Sequence, residues 1–137
     1  MKKVTGLGGI FFKCKDPHMM KEWYQKHLGI TYDQYGSIFE WGGPDSAHGT
    51  TVFSMMPAST DYYDPSTSLF MINFRVADLE GLLKELKAAG VELAGEMQSY
   101  EYGKFGSIMD PEGNKIELWE PVDSGLEEPG DHWIKMS

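Results

Sequence analysis

Reactive side chains are few in this chain: one arginine, Arg75, one cysteine, Cys14, and four histidines, His18, His27, His48 and His132. A guanidinium can fork onto a carboxylate or phosphate, so Arg75 is a candidate anion contact, and its competing role is a salt bridge at a strand end. Asn73, two residues earlier, offers both a donor and an acceptor on the same strand face, although buried asparagines are also commonly satisfied by backbone. His48, in the loop 42–49, is a candidate base or ligand titrating near neutral pH, against the plain alternative of a solvated loop histidine. Glu117, set between Ile116 and Leu118, is a candidate general base, with a structural ion pair to Arg75 or Lys104 as the competing role. The other three histidines receive no role, and Cys14 reads as a small hydrophobe rather than a nucleophile.

These residues need elements to position them. Leu7 to Cys14 is an apolar strand candidate, after which Asp16-Pro17 supplies an N-cap and a proline for the first helical position. Met20, Tyr24, His27 and Leu28 recur at helical spacing up to Gly29, where the helix is expected to stop. Strands are expected at Ile30–Tyr32, Ser37–Trp41 and Thr50–Met55, followed by a polar linker from Pro57 to Ser68. The pattern then restarts with a strand over Leu69–Val76, an N-cap at Asp78, an apolar stripe through Leu79, Leu82, Leu83, Leu86 and Ala89, and a stop at Gly90. Strands over Val91–Met97, Phe105–Met109 and Lys115–Trp119 complete it, the last two joined by the turn Asp110-Pro111-Glu112-Gly113-Asn114. The two helix starts lie 62 residues apart (16 to 78) and the two closing prolines 64 apart (57 to 121), the near-constant offset of a tandem repeat.

Asp16-Pro17, Trp23-Tyr24 and Leu28-Gly29, together with Gly103-Lys104-Phe105 and the hairpin from Asp110 to Trp119, resemble the vicinal oxygen chelate superfamily of glyoxalases, bleomycin resistance proteins and extradiol dioxygenases. The resemblance covers residues 5 to 121 and implies an α+β fold of two tandem βαβββ modules forming a cup-shaped mixed sheet, commonly a homodimer. It also implies four inward positions, one each on the first and last strands of the modules, which in the family's enzymes hold a divalent metal that polarises substrate oxygens. Counted from the helix starts and closing prolines, those positions fall on Gly9, Phe53, Met71 and Glu117, and only the last supplies a ligand. No metal or other cofactor is therefore expected, and a divalent ion held through Glu117 is the alternative. Strand alternation supports this register: Phe70, Ile72, Phe74 and Val76 form a face for helices, leaving Met71, Asn73 and Arg75 opposite. Ile10, Phe12 and Cys14 likewise separate from Leu7, Gly9, Phe11 and Lys13.

The 137 residues form one expected domain, with module one at about 5–57, a linker at 58–68, module two at about 69–121 and a tail at 122–137. A net charge of −9 disfavours nucleic acid and anionic membrane surfaces as partners. No segment has the roughly 20 apolar residues of a membrane helix. A lone cysteine fits a cytoplasmic location. The expected function is binding of a small organic molecule in the cup without the family's usual metal, and the alternative is a metal-dependent or rebuilt-site lyase, isomerase or dioxygenase. Glu117 and His48 are the catalytic candidates. The ligand-binding candidates are Phe11, Lys13, Trp41, Phe53, Met71, Asn73, Arg75 and Tyr102, with Trp119 as further aromatic lining. Because Lys13 and Arg75 share the inner face with Glu117, that face is expected to be less acidic than the exterior and to admit an anion. The acidic tail is expected either to fray or to strap Trp133 over a partner subunit.

Overall fold

Asp16 accepts a hydrogen bond from the Met19 amide at 3.1 Å and opens α1 (Pro17–Leu28), which Gly29 closes at a positive φ of 69°. Asp78 does the same for α2 (Leu79–Ala88), accepting from the Gly81 amide at 3.1 Å, while Glu120 accepts from the Leu79 amide at 3.0 Å. The computed structural model describes residues 3–33, 36–42, 48–122 and 134–135. Around the helices run β1 (Val4–Cys14), β2 (Ser37–Trp41), β3 (Gly49–Pro57), β4 (Phe70–Val76), β5 (Gln98–Tyr100), β6 (Gly103–Met109), β7 (Lys115–Pro121) and β8 (Ile134–Lys135). Among the described residues these strands form one sheet in the order β5-β6-β7-β4-β1-β3-β2-β8.

Each module places its last strand parallel to its first, β3 beside β1 and β7 beside β4, and the modules join through the antiparallel pair β1·β4. Both helices lie on one side of the sheet, α1 on β1 and β3 and α2 on β6 and β7. Val76, Leu79, Leu82 and Leu118 form the core beneath α2, and Phe74, Ile108 and Ile116 pack against it. A second cluster of Ile38, Val52 and Trp119 occupies the other face with Phe11, Tyr102 and Phe105. The expected alternation of β4 therefore holds, since Phe74 and Val76 face the helix while Asn73 faces away.

Three elements differ from the sequence expectation. Residues 30–32 form no strand; Thr31 O instead accepts the Ser37 hydroxyl at 2.5 Å, and an isolated bridge joins Asp33 to Gly36. Residues 91–97 form an irregular wall against β6, bonded through Met109 N to Glu92 O at 3.0 Å and Ala94 N to Ser107 O at 2.8 Å. Gly95, at a φ of 88°, breaks the extended run there, and the strand that follows is β5. The tail reaches the sheet of its own chain, because β8 pairs in parallel with Phe39 and Glu40 of β2. Trp133, named for a strap, lies outside the described residues. No helix among the described residues is long and apolar enough to cross a membrane.

Candidate functional site

On the face turned from the helices lies a cavity of about 760 Å³. Its aromatic lining comes from Phe11, Tyr62, Tyr100, Tyr102, Phe105 and Trp119. Tyr100 stacks on Tyr102 with centroids 5.4 Å apart and Phe105 on Trp119 at 5.8 Å, while Tyr102 meets Phe105 edge-on at 5.6 Å. The tyrosine pair and the Phe105–Trp119 pair thus form one continuous aromatic wall. The Trp119 indole is held by a hydrogen bond from Nε1 to Tyr102 O at 2.8 Å.

Glu117 also lines this cavity, and its residue is 4% exposed. Its carboxylate accepts the Asn73 amide Nδ2 at 2.7 Å and the Tyr62 hydroxyl at 2.5 Å. Asn73 reaches it because β4 and β7 are parallel neighbours in which Asn73 and Glu117 are register partners. Burial, and then the neighbouring Glu117 carboxylate, push the Tyr62 phenol well above the ordinary tyrosine range, so it remains a hydrogen-bond donor. Of the competing role for Glu117, an ion pair to Arg75 or Lys104, the Lys104 form is not seen, since Lys104 reaches Glu80 Oε1 at 3.2 Å.

Tyr62 is the member of this group that the sequence reading missed. The segment read as a linker is folded over module two: Tyr63 is fully buried, Ser68 Oγ donates to Asn114 Oδ1 at 2.6 Å, and Lys115 Nζ donates to Tyr62 O at 2.8 Å. Two adjacent tyrosines in a polar stretch were the available signal.

The structure divides the sequence-stated candidates. Phe11, Asn73, Tyr102, Glu117 and Trp119 line the cavity together. Phe53 does not; it packs on the helix side against Phe12 at 5.5 Å and Tyr24 at 5.7 Å. Met71 is buried outside the lining, as the register partner of Phe11. Lys13 lies over the Tyr63 ring, 5.0 Å from its centroid, and His48 is exposed, both outside the lining. Arg75 is sandwiched between Trp41 at 5.3 Å and Trp119 at 5.1 Å, with Nη1 3.4 Å from Thr50 O. Gly49 is what admits this sandwich, since a Cβ there would stand 2.4 Å from Trp41 and 3.0 Å from Arg75. With Lys13 and Arg75 outside the lining, the described residues that line the cavity include Asp64, Glu92, Glu96 and Glu117 against Lys115 alone, an acidic balance where a less acidic face was expected.

Three of the four inward positions also move, and Glu117 stays. A register shift between Leu7 and Gly9 lets Gly8 face Asn73, where a Cβ would fall 2.0 Å from Oδ1. On β3 the cavity-facing residue is Val52 rather than Phe53, and on β4 it is Asn73 rather than Met71. Gly8, Val52, Asn73 and Glu117 offer one carboxylate and one amide, a donor set that does not fit a divalent ion bound by four side chains.

The sequence matches the Glyoxalase/Bleomycin resistance protein/Dioxygenase superfamily over residues 6–118. The chain belongs to that superfamily. Among solved structures it resembles methylmalonyl-CoA epimerase from Mycobacterium tuberculosis, at 22% identity over 89% of this chain and 91% of that one, with a TM-score of 0.60. Methylmalonyl-CoA epimerase from Streptomyces coelicolor gives 16% identity over 92% and 99%, with a TM-score of 0.61. A superfamily member from Vibrio splendidus 12B01 gives 17% over 83% and 98%, with a TM-score of 0.51. At these identities the likeness shows the fold. No curated protein matches the sequence.

Proposed function

We propose that this superfamily member binds a small organic molecule in the cavity, without the four-ligand divalent metal site of the family's enzymes. The observation that carries the reading is a cavity of drug-ligand size, walled by aromatic rings, with Glu117 held by two neutral donors at positions where Gly8 and Val52 supply no metal ligand. Its members' common resource, a concave face able to enclose a substrate, is kept, while the donor set is replaced by an apolar and aromatic lining. Metal analysis of the purified protein, paired with a thermal-shift screen of aromatic ligands, tests both halves of the proposal. Substoichiometric metal and a ligand-dependent rise in Tm are expected. Stoichiometric zinc, nickel, iron or manganese that disappears in Glu117→Ala would overturn the metal-free half, and a screen without stabilisation would remove the binding half.

The Tyr62–Glu117 hydrogen bond favours one second reading, in which the same cavity performs isomerase or lyase chemistry. Glu117 would take a proton from a bound substrate, and Tyr62, kept protonated, would turn its single O–H from the neutralised carboxyl to the charge that develops on the substrate. His48, exposed and outside the lining, has no part in it. Turnover abolished by both Glu117→Gln and Tyr62→Phe, with ligand affinity retained, would select this reading over simple binding.

A further inference from the structure

The charge of the cavity narrows its ligand. We infer that the cavity takes an organic cation, a protonated amine carried on an aromatic body. This rests on the reading of the cavity as a small-molecule site and goes beyond it by fixing the ligand's charge class.

Among the described residues the lining includes four acidic residues, the buried Glu117 and the exposed Asp64, Glu92 and Glu96, against one lysine, Lys115. Lys115 is already engaged, donating to Tyr62 O at 2.8 Å and lying 5.2 Å from the centroid of the Tyr62 ring. Of the other cations of this face, Arg75 is committed to Trp41, Trp119 and Thr50, and Lys13 lies over the Tyr63 ring outside the lining. Glu117 is nine-tenths buried, and among the described residues its carboxylate meets only neutral donors, with no lysine or arginine in ion-pair contact. A desolvated carboxylate gains most from a cation brought to it in a low-dielectric cleft, and an anion entering beside it would meet repulsion instead.

Two further features select an N–H cation on an aromatic frame. Asn73, 2% exposed on the cavity wall, keeps an Oδ1 without a hydrogen-bond partner, so this wall is short of a donor rather than an acceptor. The stacked Tyr100 and Tyr102 and the Phe105 ring present π-surface, which attracts cations and stacks on flat ligands.

The test titrates the full-length protein calorimetrically with 2-naphthylmethylamine, 2-naphthylmethanol and 2-naphthoate, which share a ring system and differ in the charge of the head. The amine is expected to bind at least about tenfold more tightly than the alcohol, with naphthoate weakest and the amine's affinity falling as salt rises. Glu117→Gln, and the less intrusive wall variant Glu92→Gln, are expected to weaken the amine while leaving the alcohol unchanged. Ala94→Trp, which fills the cavity wall, is expected to abolish binding of all three. If naphthoate or the alcohol binds as tightly as the amine and Ala94→Trp removes that binding, the cation assignment falls while the small-molecule reading stands. If no probe binds, or binding survives Ala94→Trp, both fall.

Discussion

Glu117 owes its setting to three segments that are distant in the chain: its own strand β7, Asn73 on β4, and Tyr62 from the segment between the modules. Tyr62→Phe leaves the carboxylate with one donor, and a cost of about 1–3 kcal/mol in urea unfolding is expected. The same variant carries a pH signature. Because the folded state raises the Tyr62 phenol above its ordinary value of 10.0, its contribution is fully present below that pH and is lost as pH rises through the folded value. Between about pH 9 and about pH 11 the wild type is therefore expected to lose more stability than Tyr62→Phe. Gly8 is the second test at this scale. A Cβ there falls 2.0 Å from Asn73 Oδ1 and 3.1 Å from Trp119, so Gly8→Ala is expected to cost about 1–3 kcal/mol and to displace Asn73 from Glu117. An Ala variant as stable as wild type would show that the wall yields freely at this point.

Among the elements, those specified by neighbours in sequence were legible, and those specified by distant contacts were not. Both helix starts, Asp16 and Asp78, and the stop at Gly29 follow from capping hydrogen bonds within a few residues. The turn from Asp110 to Asn114 is equally local: Asp110 accepts the Glu112 and Asn114 amides at 2.9 Å, and Asn114 Nδ2 as well. Those bonds, from Asn114 first, hold the Asp110 carboxyl below its ordinary value of 3.8. Its contribution is present above that pH and is lost as pH falls through the folded value. Asp110→Ala is thus expected to lower Tm near neutral pH, with the difference from wild type closing in acid. A difference that persisted unchanged below the folded pKa would assign the effect to turn sterics instead. The β1 register was less accessible. Alternation places Gly9 on the inner face with Phe11, and the irregularity between Leu7 and Gly9 that turns Gly8 inward is decided by pairing with β4.

Over the whole molecule both modules set their last strand parallel to their first, but among the described residues module one lacks a counterpart of β5 and carries β8 beside β2 instead, and the modules also differ in how firmly their helices are seated. α2 buries Leu79 and Leu82, whereas α1 buries no residue and leaves Met19, Trp23 and Leu28 exposed. Amides of α1 are therefore expected to exchange with deuterium well before those of α2, since fewer buried apolar contacts oppose local opening. Equal protection of both helices would indicate that the exposed α1 face is covered in solution. The modules differ on the inner face too. Trp41, Arg75 and Trp119 occupy the region beside β2 and β3, and the cavity lies against module two, closed by residues 92–96 and by the segment around Tyr62.

By itself the sequence determined the helix limits and the inward face of β4, because caps, glycine stops and strand alternation act over a few residues, and its resemblance to the superfamily implied the fold. It also singled out Glu117, Asn73, Phe11 and Tyr102, which the fold brings to one cavity. Only the tertiary structure decided that Gly8 and Val52 stand at the inward positions, that Tyr62 crosses 55 residues of sequence to reach Glu117, and that the cavity is acidic. The lone arginine, legible as an anion contact, instead lies between two tryptophans drawn from different modules. Each of these outcomes depends on strand register and on the path of a connecting segment, which are fixed by packing between residues far apart in the chain.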